Sequence, residues 1–305
     1  MAFTDLTLSQ RVKRCRQFTS PYRITDGRKF RLADIDPGDI GGLEAEDKPA
    51  AKELLVEGVE TLAALQERLY AQNQWALLAL FQATDAAGKD GTIKHVMSGV
   101  NPQGCEVYSF KAPTAQDLDH DYLWRCLQRT PQRGRIGIFN RSYYEEVLVV
   151  KVHPELLERQ KIPSRLIGKK IWDERYEDIR HVERYLTRNG IVVCKFFLHL
   201  SRKEQRKRFL ERLDNPDKNW KFSRADLAER GFWKQYQQAY EEMIQATATE
   251  HAPWYVVPAD NKWFSRLVVA AALIETLGSL DLAFPTVSDA QKAELAAARE
   301  ALKSE

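Results

Sequence analysis

The stretch Trp75–Thr92 limits what this chain can become more than any other part of it. The apolar run Trp75-Ala-Leu-Leu-Ala-Leu80 enters Phe81-Gln-Ala-Thr-Asp-Ala-Ala-Gly-Lys-Asp-Gly-Thr92, and Ile93-Lys-His-Val-Met97 continues with a helical pattern. Strand, glycine-containing turn, lysine and helix in that order build an anion cradle. Backbone N–H groups of the turn and the positive helix end converge on one point, and Lys89 adds a full charge. The expected cradle is Ala86, Ala87, Gly88, Lys89, Asp90, Gly91 and Thr92. The match to the phosphate-loop pattern G-x-x-x-x-G-K-[ST] is partial. Gly88-Lys89 fits, but Ala83 stands at the first glycine and Asp90 at the metal-binding hydroxyl position, while Asp85 lies inside the loop. A phosphate loop with its own carboxylates expects a metal-bound, polyanionic ligand.

Around this motif the chain alternates between short apolar runs and helical patterns. Strands are expected at 75–82, 105–110, 135–140, 191–200 and 254–258. Helices are expected near 89–99, 115–129, 142–150, 170–188, 202–213, 224–247 and 262–278. Thr114-Ala-Gln-Asp117, Ser201-Arg-Lys-Glu204 and Ser223-Arg-Ala-Asp226 resemble capping boxes at helix starts. Strands of this kind between helices predict a mostly parallel sheet covered on both faces, with ligands at the carboxyl ends of its strands. Residues 1–50 read as an irregular arm, basic over 11–31 and then acidic over 34–47. A helix follows with Leu55, Val59, Leu62 and Leu69 on one face. Residues 286–305 read as an exposed Ala- and Glu-rich helix after a main domain over 51–285.

Composition narrows the class. At 305 residues and 44% hydrophobic content the chain can bury a large α/β core, which argues against disorder. Four scattered cysteines without a C-x-x-C pair argue against a disulfide framework or zinc site and for a reducing cytoplasm. The N-terminus lacks a signal-peptide pattern, and no apolar run reaches the ~18 residues of a membrane span. A net charge of +3 is too small to imply nucleic acid, and no nucleic-acid module is recognisable.

Three further clusters bear on chemistry. Arg135-Ile-Gly-Ile-Phe-Asn140 has the body of the second phosphate-loop strand but ends in an amide where a carboxylate usually orders the metal. Five residues on, Glu145 can point back toward the strand end, and Arg141 stands at the strand tip within reach of a phosphate. Both glutamates, Glu145 and Glu146, also suit a solvated helix face. The basic helix Arg202–Arg212 places Arg208 and Arg212 on one face, as a lid over phosphates does. A third set, Lys161, Arg165, Lys169, Lys170, Arg175 and Arg180, is a candidate wall for a long polyanion, with Trp172, Tyr176, Ile179 and Leu186 turned into the core. His95, His153, His181 and His199 have no mutual metal-ligand spacing.

Together, Asp85-Ala-Ala-Gly-Lys-Asp-Gly91, Ser98-Gly-Val-Asn-Pro102, Phe139-Asn-Arg-Ser-Tyr-Tyr-Glu145, Asp217-Lys-Asn-Trp-Lys-Phe-Ser223 and Trp254-Tyr-Val-Val-Pro-Ala-Asp260 resemble the polyphosphate kinase 2 family over residues 50–278. The resemblance implies a thymidylate-kinase-like P-loop fold: a three-layer sandwich with a mostly parallel five-stranded sheet and a helical lid, here about 202–232. It implies phosphoryl transfer between inorganic polyphosphate and adenine nucleotides with Mg²⁺ or Mn²⁺, by a homo-oligomer, dimer or tetramer. Asp85 then matches the loop carboxylate that binds metal and positions the acceptor, Lys89 the lysine on the transferring phosphate, and Arg141 the arginine that holds phosphates. Glu145 shares the metal, Asn140 lies at the binding edge, and Arg208 and Lys221 fall in the lid. Much of the family reads Phe-Asp-Arg-Ser-Trp-Tyr-Asn where this chain has Phe139-Asn140 … Glu145, so acid and amide have exchanged places. That pattern resembles the subgroup usually called class III, which phosphorylates both AMP and ADP. Exchanging them back, Asn140→Asp with Glu145→Asn, is expected to change the AMP/ADP preference.

The expected reaction is in-line transfer by positioning and charge neutralisation, reversible and without a covalent enzyme intermediate, since no His or Asp stands out as a carrier. Two other readings fit the residues taken alone: an ATP-dependent P-loop kinase, and a non-catalytic polyanion-binding protein.

Overall fold

A computed structural model describes residues 5–305, and at Lys221 the backbone alone. The helices are α1 Leu8–Thr19, α2 Lys48–Gln72, α3 Lys89–Val96, α4 Ala115–Leu118, α5 Trp124–Leu127, α6 Val149–Val152, α7 Ile171–Arg188, α8 Arg202–Leu213, α9 Arg224–Glu229, α10 Trp233–Thr247, α11 Lys262–Gly278 and α12 Asp289–Lys303. The strands are β1 Arg23–Ile24, β2 Ala76–Ala83, β3 Cys105–Ser109, β4 Ile136–Asn140, β5 Ile191–His199 and β6 Trp254–Pro258. They form one sheet in the order β1-β6-β5-β2-β4-β3, parallel except for β1, which runs antiparallel to β6.

Strand β2 is central because all eight of its residues are buried, as a strand covered on both faces requires. Its side chains alternate between two cores. Leu77, Ala79, Phe81 and Ala83 pack with α2, α3 and α11, while Leu78 and Leu80 pack with α7, α10 and the segment after β4. The chain leaves β2 toward β4 and β3 on one side and later returns to β5 and β6 on the other. The crevice at the carboxyl end of β2 is therefore the switch point where α/β sheets bind ligands. Register brings Asn140 and Phe196 level with Phe81 there.

Every expected strand forms, with one addition. The sheet has six strands rather than five, because Arg23–Ile24 of the arm joins its edge. The arm is not irregular. Thr7 caps α1 in a capping box, Cys15 and Thr19 are buried, and α1 packs along α11. Tyr22, Phe30 and Leu32 are buried as well. Three helices expected to be continuous are broken. The 115–129 stretch stops at Asp119 and restarts where Asp121 Oδ1 accepts from the Leu123 N–H at 2.9 Å. The 142–150 stretch is a 3₁₀ turn, Tyr143–Val147, then α6, with Leu148 outside helical geometry between them. The 224–247 stretch divides at a 3₁₀ turn over Arg230–Phe232. Capping boxes form at Thr114 and Ser223, whereas Ser201 caps α8 without a reciprocal bond. Helix α12 buries none of its residues.

Candidate active site

The loop between β2 and α3 is shaped by two residues in the left-handed region, Ala86 at φ 63° and Gly88 at φ 102°. Gly88 accepts that conformation without Cβ strain, and its carbonyl accepts the Thr92 N–H at 2.9 Å, which begins α3. Ala83 is simply the last residue of β2, so the turn needs no glycine there. Lys89 folds back over the loop, and its Nζ donates to the Ala83 carbonyl at 3.0 Å. Burial and the nearby Arg141 pull its pKa below the ordinary lysine range, although the carboxylates of Asp85, Glu145 and Asp90 pull it up.

Strand β4 delivers the second half. Asn140 Nδ2 donates to Asp90 Oδ1 at 2.6 Å, tying the strand end to the first turn of α3. Arg141 takes a left-handed φ of 65°, and its N–H donates to the Phe81 carbonyl at 3.0 Å. This bend turns its guanidinium back to Asp85, 3.4 Å from Oδ1. Glu145 faces the same point from the 3₁₀ turn. With its amide oxygen turned toward Ser142, Gln82 donates to Glu145 Oε1 at 2.7 Å and accepts from the Ser142 N–H and Oγ, each at 3.0 Å. Burial pushes the Glu145 carboxyl above the usual range although Arg141 and Lys89 pull it down, and Asp85 pushes it up further. Burial works against the charge on Arg141, but Glu145 and Asp85 outweigh it and raise its pKa.

Helix α8 holds the loop from behind. The guanidinium of Arg208 donates to the carbonyls of Ala86, Ala87, Ala259 and Asp260 at 2.6–3.1 Å and to Glu204 Oε1 at 3.0 Å. All five of its N–H groups are thereby engaged. Arg208 does not reach out as a lid cation. It is only 3% exposed and fixes the loop to the ends of β6 and α8. Gln205 Nε2 adds a bond to the Asp85 carbonyl at 3.0 Å.

Three members of the candidate polyanion wall at 161–180 are engaged elsewhere. Arg175 is buried, donating to the Glu146 carbonyl and to Gln160. Arg180 donates to the Ala246 carbonyl, and Lys161 pairs with Asp119. The side chain of Lys221 lies outside the described residues. Among the described residues no group of three or more His, Cys, Asp and Glu side chains gathers as a metal site, and the four singled-out histidines stay apart.

Two cavities meet at the loop. A groove of ≈ 720 Å³ runs along residues 85–92 between Lys111, Arg141, Arg212, Lys218, Lys262 and Arg266. A smaller pocket of ≈ 200 Å³ is walled by Thr84, Asp85, Arg141 and Glu145 on one side and by Arg230, Trp233, Tyr236 and Tyr240 on the other. Only Asp85, Arg141 and Asp226 line both. The arrangement fits a donor and an acceptor approaching one point from opposite sides. Sequence reasoning missed Thr84, whose buried Oγ has no hydrogen-bond partner, and also Gln82, Gln205 and Arg230. Gln82 carried a signal, as a polar residue inside an apolar strand run. The others are recognisable only from tertiary contacts.

The family model for polyphosphate kinase 2 (PPK2) matches residues 45–284. The chain belongs to the polyphosphate kinase 2 family. It is 50% identical over 289 residues to an ADP-polyphosphate phosphotransferase of Rhodopseudomonas palustris, covering 93% of this chain and 98% of that protein. It is 47% identical over 264 residues to an AMP/ADP-polyphosphate phosphotransferase of Meiothermus ruber, covering 87% and 94%. The crystal structure of polyphosphate kinase 2 from Arthrobacter aurescens superposes with a TM-score of 0.83 at 39% identity, over 91% of this chain and 95% of that one. The PPK2 match leaves out most of the arm and all of α12.

Proposed function

We propose that this PPK2 chain transfers the terminal phosphoryl group of inorganic polyphosphate to AMP or ADP, reversibly and with a divalent metal. The observation that carries the proposal is the meeting of a cation-lined groove with an aromatic-walled pocket at Asp85 and Arg141. A long phosphate chain needs many cations, which the groove supplies. A nucleoside needs ring-stacking surface, which Trp233, Tyr236 and Tyr240 supply. The relatives from Rhodopseudomonas and Meiothermus are named for the same two substrate classes, polyphosphate and adenine nucleotides.

In this mechanism the loop N–H groups of residues 88–91 and the Lys89 side chain hold the terminal donor phosphates. Arg141, lying between the two cavities, neutralises charge on the group in transit. Asp85 and Glu145 are two hard-oxygen carboxylates, and the charge of Asp85 adds to the upward push on the Glu145 carboxyl, a donor set that would suit Mg²⁺ or Mn²⁺. A metal held by these two carboxylates would neutralise phosphate charge. The acceptor phosphate oxygen attacks in line from the pocket side. Arg208 and Gln205 act by holding the loop. The lid function falls to residues 214–232 beyond α8. The reading includes action in the cytoplasm, which four free cysteines support, and a homo-oligomeric working form, dimer or tetramer.

Steady-state kinetics of paired variants tests the division. Lys262→Gln/Arg266→Gln raises KM for polyphosphate about ten-fold with KM for ADP unchanged, and Trp233→Ala does the reverse. Both variants moving the same KM would contradict it.

A further inference from the structure

Four polar side chains follow one another in Tyr143-Tyr144-Glu145-Glu146, and only Glu145 lines the pocket with Asp85. The hydroxyls of Tyr143 and Tyr144 both donate to Glu183 Oε1, at 3.0 and 2.7 Å. The other oxygen of Glu183 accepts from Lys195 Nζ at 2.6 Å, and Lys195 also donates to the Thr247 carbonyl at 2.8 Å. Glu183 comes from α7 and Lys195 from the middle of β5, where it sits level with Leu80 of β2. Both are 0% exposed. Glu146 turns the other way, accepting from Gln160 Nε2 at 2.5 Å and lying 3.6 Å from both Arg125 and Arg175.

A dry ion pair in a sheet core is a poor stabiliser. Well-packed apolar residues of the same volume generally do as well or better. What an apolar pair cannot do is fix two hydroxyls at set positions. We propose that the Lys195–Glu183 pair is the positioning element for Glu145. It anchors both phenols behind the 3₁₀ turn, and the Glu146 contacts close the other side. The turn is left one orientation, with the Glu145 carboxylate set toward Asp85. The inference rests on the proposed metal-binding role of Glu145 and extends it to four residues that never touch the ligand.

The test is Mn²⁺ titration of the full chain, with free Mn²⁺ counted by electron paramagnetic resonance, beside kinetics and thermal melting. Tyr144→Phe removes one oxygen. The four-fold variant Tyr143→Phe/Tyr144→Phe/Glu183→Leu/Lys195→Met removes every side-chain polar atom of the network at nearly constant volume, and keeps the test available if the single variant folds poorly. Both are expected to weaken Mn²⁺ binding about ten-fold or more, as loss of groups that orient a metal ligand does. kcat falls, KM for ADP holds, and the four-fold variant melts no lower than the parent. Wild-type Mn²⁺ affinity in the four-fold variant, with Glu145→Gln losing it, would overturn the inference while sparing the role of Glu145. Wild-type affinity in Glu145→Gln would overturn that role and the inference with it.

Discussion

At the residue scale the site holds charge that burial resists. Glu145 is shifted up and Lys89 down, each toward its neutral form, and burial is the first cause of both. For Glu145 the sign is definite. Its pKa in the fold exceeds that in the unfolded chain, so its proton stabilises the fold in acid. That contribution is lost as pH rises through the raised value. At neutral pH the ionised carboxylate is a liability, and Glu145→Gln removes it while keeping an acceptor for Gln82. The variant is expected to melt roughly 1–3 °C above the parent at pH 7, with the gain narrowing below the ordinary carboxylate range. Turnover should fall at least ~100-fold. Melting curves over pH with parallel initial rates check both halves, and a lower melting point with retained turnover would contradict the account. Asn140 belongs to the same economy of charge. Its amide donates to Asp90, so a lone Asn140→Asp would press two carboxylates together. The exchange of acid and amide therefore has to be considered with Asp90 as a third member.

At the element scale, what was legible in the sequence follows from pattern length. Four of the five parallel strands were readable as short apolar runs between helical patterns, and β2 is apolar along almost its whole length. Helix α7 was readable from a long periodic face and α8 from the cap at Ser201. The breaks near 119, 148 and 231 were not, since local side-chain bonds and single backbone angles decide them. Helix α1 was hidden because basic residues crowd its sequence, although Leu8, Val12, Cys15 and Thr19 recur at helical spacing. Of the site, the loop, Arg141 and Glu145 could be named from motif order. The role of Arg208 could not, because its partners are backbone carbonyls from two distant segments. That role carries its own prediction. Arg208→Lys cannot span four carbonyls with one ammonium group. It should lower unfolding free energy by about 2–4 kcal/mol, since buried acceptors lose their donors. Urea denaturation measures this, and a change under ~0.5 kcal/mol would mean that the loop is held by other contacts.

At the scale of the whole molecule, the fold is a support for one crossing point. The central strand ends at the switch point of the sheet, and the arm and α11 brace one face of it. The network behind Tyr143–Glu146 braces the other. The groove and the pocket share Asp85 and Arg141, and in the proposed mechanism a phosphoryl group passes directly from one to the other there. The most direct test of that claim is nucleotide product analysis with purified protein, Mg²⁺ and long-chain polyphosphate, given AMP alone or ADP alone. The account predicts ADP and then ATP from AMP, and ATP from ADP. No phosphorylated product from either acceptor, from a folded protein that makes product when ATP replaces polyphosphate as donor, would contradict it.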